Sequence, residues 1–83
     1  MSNYDPVLSS KALATLLGLP KRKQRELSDI LFQLATFPSQ QGDYSLPDKS
    51  GRAIQYIMTG NYVIGFWPDH PVCELRIVEI DLV

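Results

Sequence analysis

The sequence predicts an α+β domain, with an N-terminal helical hairpin packed on one face of a small, mainly antiparallel β-sheet. Three observations predict it. Leu27, Ile30, Leu31, Leu34 and Phe37 recur at the i, i+3, i+4, i+7 and i+10 spacing of one buried helical face. From residue 53 onward the period changes to two, the repeat of a strand. The chain has 83 residues, 45% of them hydrophobic and 20% charged, which is a globular composition with room for one core, so residues 1–83 are read as a single domain.

The elements follow in order. "NYDPVLSS" opens with a short strand over residues 4–8, which Pro6 confines to a sheet edge because it has no amide hydrogen to give a second neighbour. Ser9 or Ser10 offers its hydroxyl to the free amides at a helix start. Ala12, Leu13, Leu16 and Leu17 then form one narrow apolar stripe. Gly18, as a left-handed cap, and Pro20 end that helix. Pro20 or Lys21 opens the second helix, which turns Arg25, Asp29 and Gln33 away from the core and stops at Pro38. "FPSQQGDYSLPDKSG" is dense in turn formers and reads as a loop with a brief strand at residues 44–46. Loops of this kind often carry binding surfaces.

After the loop, Ile54, Tyr56 and Met58 alternate with Ala53, Gln55 and Ile57, and Tyr62, Ile64 and Phe66 with Val63, Gly65 and Trp67. Gly60-Asn61 between them suits a two-residue type II′ turn, because glycine accepts the positive φ required. Adjacent strand positions point to opposite faces, so of Phe66 and Trp67 one belongs to the core and the other is half-exposed. "PDHP" turns the chain into a last strand, "VCELRIVEIDLV". Leu75 and Ile77 share one parity there, and Val78, Ile80 and Leu82 the other, so a one-residue bulge is expected near Ile77–Val78.

The chemistry-bearing residues exclude several functions. A formal net charge of −1 gives the whole molecule no pull on nucleic acid or membrane. With no signal-peptide start and no long apolar run, a cytoplasmic location is expected. The lone Cys73 falls in the last strand and reads as a buried thiol; His70 reads as a solvated turn histidine. Neither supports a metal site, and the five isolated glycines form no phosphate loop, so no metal and no cofactor are expected. Glu79 and Asp81 share a strand face, which a polar edge explains without catalysis.

Cation placement is more informative. Half of the eight Lys and Arg residues are Lys21, Arg22, Lys23 and Arg25, at a helix N-terminus whose dipole opposes them. That placement points to a partner with phosphates or carboxylates; the plainer reading is a solvated charged stretch. Lys49, Arg52 and Arg76 are candidates for one positive surface beside the sheet.

The order of elements, from "YDPVLSSKAL" through a second helix ending "LATFP" to "GRAIQYIMTGNYVIGFWPDHPVCELRIVEI", resembles the RelE/ParE superfamily of type II toxin–antitoxin toxins over nearly the whole chain. Gly60-Asn61-Tyr62 matches the family's Gly-x-Tyr step most specifically. The resemblance implies a RelE/ParE-like fold and a bacterial, growth-inhibiting toxin neutralised by an antitoxin protein. RelE-type members are mRNA interferases that cut messenger RNA in the ribosome, using Lys and Arg on the sheet to stabilise charge building on phosphorus. ParE-type members inhibit DNA gyrase without a nuclease site.

On this sequence the implied ribosome-dependent endoribonuclease would rely on Arg52, Lys49 and Arg76, with Lys21, Arg22, Lys23, Arg25 and Tyr56 binding partner or nucleic acid. The chain departs from the family pattern in three places. Val63 stands where the family has Arg after the Tyr, residues 54–58 lack the usual cations, and the terminal "DLV" lacks the family's Arg and Tyr. The alternative is therefore a catalytically inert RelE-fold adaptor that binds a partner protein.

Overall fold

The structure, a computed structural model, describes residues 4–83, so the first three positions of the expected domain lie outside the described residues. The chain runs β1 (Asp5–Leu8), α1 (Ser10–Leu17), α2 (Lys21–Thr36), β2 (Tyr44–Pro47), β3 (Ala53–Thr59), β4 (Tyr62–Asp69), a 3₁₀ turn (His70–Val72) and β5 (Glu74–Leu82). The strands form one five-stranded sheet in the order β1-β5-β4-β3-β2. Only the β1–β5 pairing is parallel; the other three are antiparallel. Both helices lie on one face, as expected. Among the described residues no helix is long and apolar enough to cross a membrane.

Strand alternation builds the core. Tyr62, Ile64 and Phe66 of β4 and Leu75, Ile77 and Ile80 of β5 are buried against Ala12 of α1 and Leu27, Leu31, Leu34 and Ala35 of α2. Each large apolar side chain buried this way stabilises the fold by roughly 1.5–3 kcal/mol. Trp67, one position beyond buried Phe66, falls on the opposite face and is half-buried.

The parity change in β5 is a bulge at the expected place. Gly65 faces Glu79 and Phe66 faces Ile77, which leaves Val78 unopposed. The extra residue lets Leu75, Ile77 and Ile80 all face the helices. Ser9 is bound to this irregularity: its amide donates to the Ile77 carbonyl at 2.9 Å, and its Oγ donates to the Val78 carbonyl at 3.0 Å. The same Oγ caps α1 by accepting from the Ala12 amide at 3.1 Å. At the β3–β4 turn Gly60 has φ +58 and Asn61 is not positive, the sign pattern of a type II′ hairpin.

Five local expectations are corrected. Gly18 has φ −77 rather than a left-handed value, because its amide continues the helical pattern to the Ala14 carbonyl. Of the α1 stripe only Ala12 is buried; Leu16 packs against the core partly covered, whereas Leu13 and Leu17 are exposed, since this short helix turns only one narrow side to the sheet. Phe37 lies past the end of α2 and is 69% exposed, where the chain leaves helical geometry with φ −126. Cys73 is exposed rather than a buried strand thiol. The corner itself is displaced: Pro68 and Asp69, expected in the turn, end β4, and Val72, expected in the last strand, ends the 3₁₀ turn, after which Cys73 leads into β5 through a left-handed conformation, φ 53.

Candidate functional site

The sheet face turned away from the helices is open. Register places Tyr44 and Leu46 of β2, Ile54, Tyr56 and Met58 of β3, Val63, Gly65 and Trp67 of β4, and Arg76, Glu79 and Asp81 of β5 on it. Three of the candidate residues gather here. Arg52, just before β3, lays its guanidinium 3.8 Å from the centroid of the Trp67 ring. Trp67 is paired with Arg76 on β5, so the indole stands between the two arginines.

Neither arginine is free. Arg52 is ion-paired to Asp48 at 3.3 Å. Arg76 is shared between Asp69 at 3.3 Å and Glu74 at 3.0 Å. The positive surface expected from Lys49, Arg52 and Arg76 is therefore not formed: Asp69, Glu74, Glu79 and Asp81 set four carboxylates on this half of the sheet. Lys49 lies in the exposed turn between Asp48 and Arg52 and has no ion pair among the described residues.

Asp48 organises that turn. Its Oδ1 accepts from the Ser50 hydroxyl at 2.7 Å, the Ser50 amide at 2.8 Å and the Arg52 amide at 2.9 Å. The Ser50 hydroxyl bond first, with the amides and the Arg52 charge, holds its carboxyl below the ordinary aspartate range. Gly51, at φ +84, supplies the conformation that closes the loop.

Tyr56 occupies the middle of the face. Its ring stacks on Tyr44 at 5.1 Å between centroids and 6° between planes. Its hydroxyl donates to Glu79 Oε1 at 3.4 Å, and Lys11 of α1 reaches the same carboxylate at 3.7 Å. Burial first, then the Glu79 charge, raises the Tyr56 pKa. Val63, where the resemblance leads one to expect an arginine, lies between Met58 of β3 and Asp81 of β5. No cation occupies that spot.

Lys21, Arg22, Lys23 and Arg25 are elsewhere, at the N-terminal end of α2 on the helix side of the sheet. They do not join Arg52 and Arg76. Tyr44 and the carboxylates Asp69 and Glu74 were not singled out from the sequence. A tyrosine in a turn-rich loop carries no periodic signal, and Asp69 gains meaning only from the strand register, although Glu74 lies two residues before Arg76 on the same strand face. His70 is exposed as expected, but it is not merely solvated: its Nδ1 is 2.6 Å from the Tyr4 hydroxyl. Among the described residues no group of three or more His, Cys, Asp or Glu side chains is arranged to hold a metal ion.

No protein-family model matches the sequence. No curated protein matches it either. Solved structures do. A chain of the RelBE2 toxin–antitoxin complex from Mycobacterium tuberculosis is similar with a TM-score of 0.75 and 18% identity, over 99% of this chain and 100% of that one. A chain of the archaeal RelE–RelB complex from Pyrococcus horikoshii OT3 is similar with a TM-score of 0.70 and 14% identity, over 98% of this chain and 96% of that one. The fold is therefore RelE-like, two helices on a five-stranded mixed sheet.

Proposed function

We propose that this chain is the toxin-like member of a bacterial type II toxin–antitoxin pair, held in check by a partner antitoxin and acting in the cytoplasm. One observation carries the reading: the fold matches chains of two toxin–antitoxin complexes from end to end, with almost no part left outside the shared architecture. The candidate targets are ribosome-bound messenger RNA and DNA gyrase.

The charge on the open face weighs against the first target. Stabilising a phosphorane-like transition state needs fixed cations free to meet the developing charge. Arg52 and Arg76 are instead held by carboxylates, and Val63 offers no charge at all. The same observation favours a second reading, an inert RelE-fold adaptor that keeps the partner and lacks the cleavage.

Induced expression in a bacterial host, with and without the neighbouring gene, tests the proposal. Growth arrest that the neighbouring gene relieves supports a toxin and its antitoxin. Protein synthesis failing first indicates the ribosome; DNA synthesis failing first indicates gyrase. Unimpaired growth with soluble protein present selects the adaptor.

A further inference from the structure

The open sheet face is divided by chemistry. Its β2–β3 half is apolar: Tyr44, Leu46 and Met58 are 45%, 53% and 58% exposed, and Tyr56 stacks on Tyr44. Both helices pack on the other face, so no element covers these side chains among the described residues. Its β5 half is acidic. Glu79 stands in one row across the sheet with Tyr44 and Tyr56, and Asp81 in the next row with Met58 and Val63. Each row thus sets an exposed apolar side chain about 10 to 14 Å from a carboxylate, two or three strand spacings.

The acids are available. Asp81 has no ion pair among the described residues, and Lys11 reaches Glu79 at 3.7 Å through a side chain that is 71% exposed. An exposed pair of this kind contributes little and gives way to a better-placed cation. Further along the face, Asp69 and Glu74 outnumber Arg76, the one arginine they share.

We propose that this open face docks an extended, basic segment of another polypeptide. Its apolar side chains lie on Tyr44, Leu46 and Met58, and its Arg or Lys side chains meet Glu79 and Asp81. Same-side side chains of an extended chain are about 7 Å apart, so a cation two or four residues from an apolar residue matches the rows. Such docking goes beyond the toxin reading and holds whether or not the chain arrests growth.

Charge selects this occupant. The phosphates of RNA, or an acidic segment, would meet Glu79 and Asp81 while Arg52 and Arg76 are already held. A second copy offers the cations Lys21, Arg22, Lys23 and Arg25, but Leu27, the apolar residue beside them in α2, is buried and cannot cover Tyr44 or Met58.

Labelled peptides of about 12 residues, long enough to cross the face when extended, make the test. In one set Leu and Arg lie two or four residues apart; in the matched set Glu replaces Arg. The full-length chain is titrated with each and followed by anisotropy and amide chemical shifts. An Arg peptide is expected to bind and to shift residues 56–58 and 79–81 while α2 stays unmoved. The Glu peptides are expected not to bind. Met58→Asp and Asp81→Lys, both at exposed positions, should each weaken binding about tenfold. Phe32→Asp, exposed on the helix side, should leave it unchanged. The shift map is read on the unmodified chain and so does not depend on any variant folding.

Binding by neither set, equal binding of both, or shifts confined to the helices overturns the assignment. Displacement of the Arg peptide by an RNA oligonucleotide overturns it too. So does self-association in light scattering that Asp81→Lys abolishes, which gives the face to a second copy.

Discussion

The ring of Tyr56 occupies the space where a side chain on Gly65 would begin: a Cβ at residue 65 would stand 2.8 Å from the ring's Cε2. The ring has little room to move aside, since Tyr44 stacks on it and Glu79 holds its hydroxyl. Gly65→Ala is therefore expected to destabilise the domain by about 1–3 kcal/mol, as overpacking does. Urea denaturation measures this, and adding Tyr56→Ala should recover much of the loss. An unchanged midpoint for Gly65→Ala would mean that the ring is not held.

The raised pKa of Tyr56 fixes the sign of an alkaline effect. The folded chain keeps this proton while an unfolded tyrosine, near pH 10, has already lost it. Folding then binds a proton, so stability falls as pH rises from about 10 toward the higher native value. Tyrosinate absorbance followed against pH should show a late-titrating component that Tyr56→Phe removes. Glu79→Gln should bring that component only part of the way back, because burial is the larger cause.

At the acid end the Asp48 turn reports through Trp67. The lowered carboxyl pKa means that the turn is supported above the ordinary aspartate range and loses that support as pH falls through the native value. Arg52 then loses its ion pair and its hold over the indole. Trp67 is the sole tryptophan, so its emission should shift to the red on acidification. Arg52→Ala should show the shifted emission already at neutral pH, at a cost to stability of no more than about 1 kcal/mol.

Ser9→Ala removes two bonds with one oxygen: the cap on the Ala12 amide and the bond to the carbonyl of the bulged Val78. A loss of about 1–2 kcal/mol is expected from denaturant unfolding. Ser9→Asp separates the two roles. It keeps an acceptor for the helix but cannot donate to Val78, so it should recover only part of the loss.

Much of the fold was legible because period is local. The α2 face, the β3–β4 hairpin and the β5 bulge all follow from the spacing of apolar residues within a single element. Phe37 continued the α2 spacing yet ended up exposed, because spacing does not say where a helix stops. The pairing of β1 with β5 depends on contacts between residues nearly a chain length apart, which no window of sequence contains. The site suffered most from this. Arg52 and Arg76 were recognisable as cations, but Asp48 lies in a turn and Asp69 ends β4, and only the folded register brings Asp69 onto Arg76, whereas Glu74 sits two residues before Arg76 on the same face of β5.

The position of β5 also orders events during synthesis. It is made last of the five strands, yet it lies inside the sheet, between the first strand and the fourth. Until residues 74–82 have left the ribosome, β1 has no neighbour, and β4 presents a bare edge with Tyr62, Ile64 and Phe66 incompletely covered. A nascent chain short of residue 74 is therefore an aggregation-prone hairpin with a loose pair of helices. The native surfaces come into being together when β5 takes its place between β1 and β4.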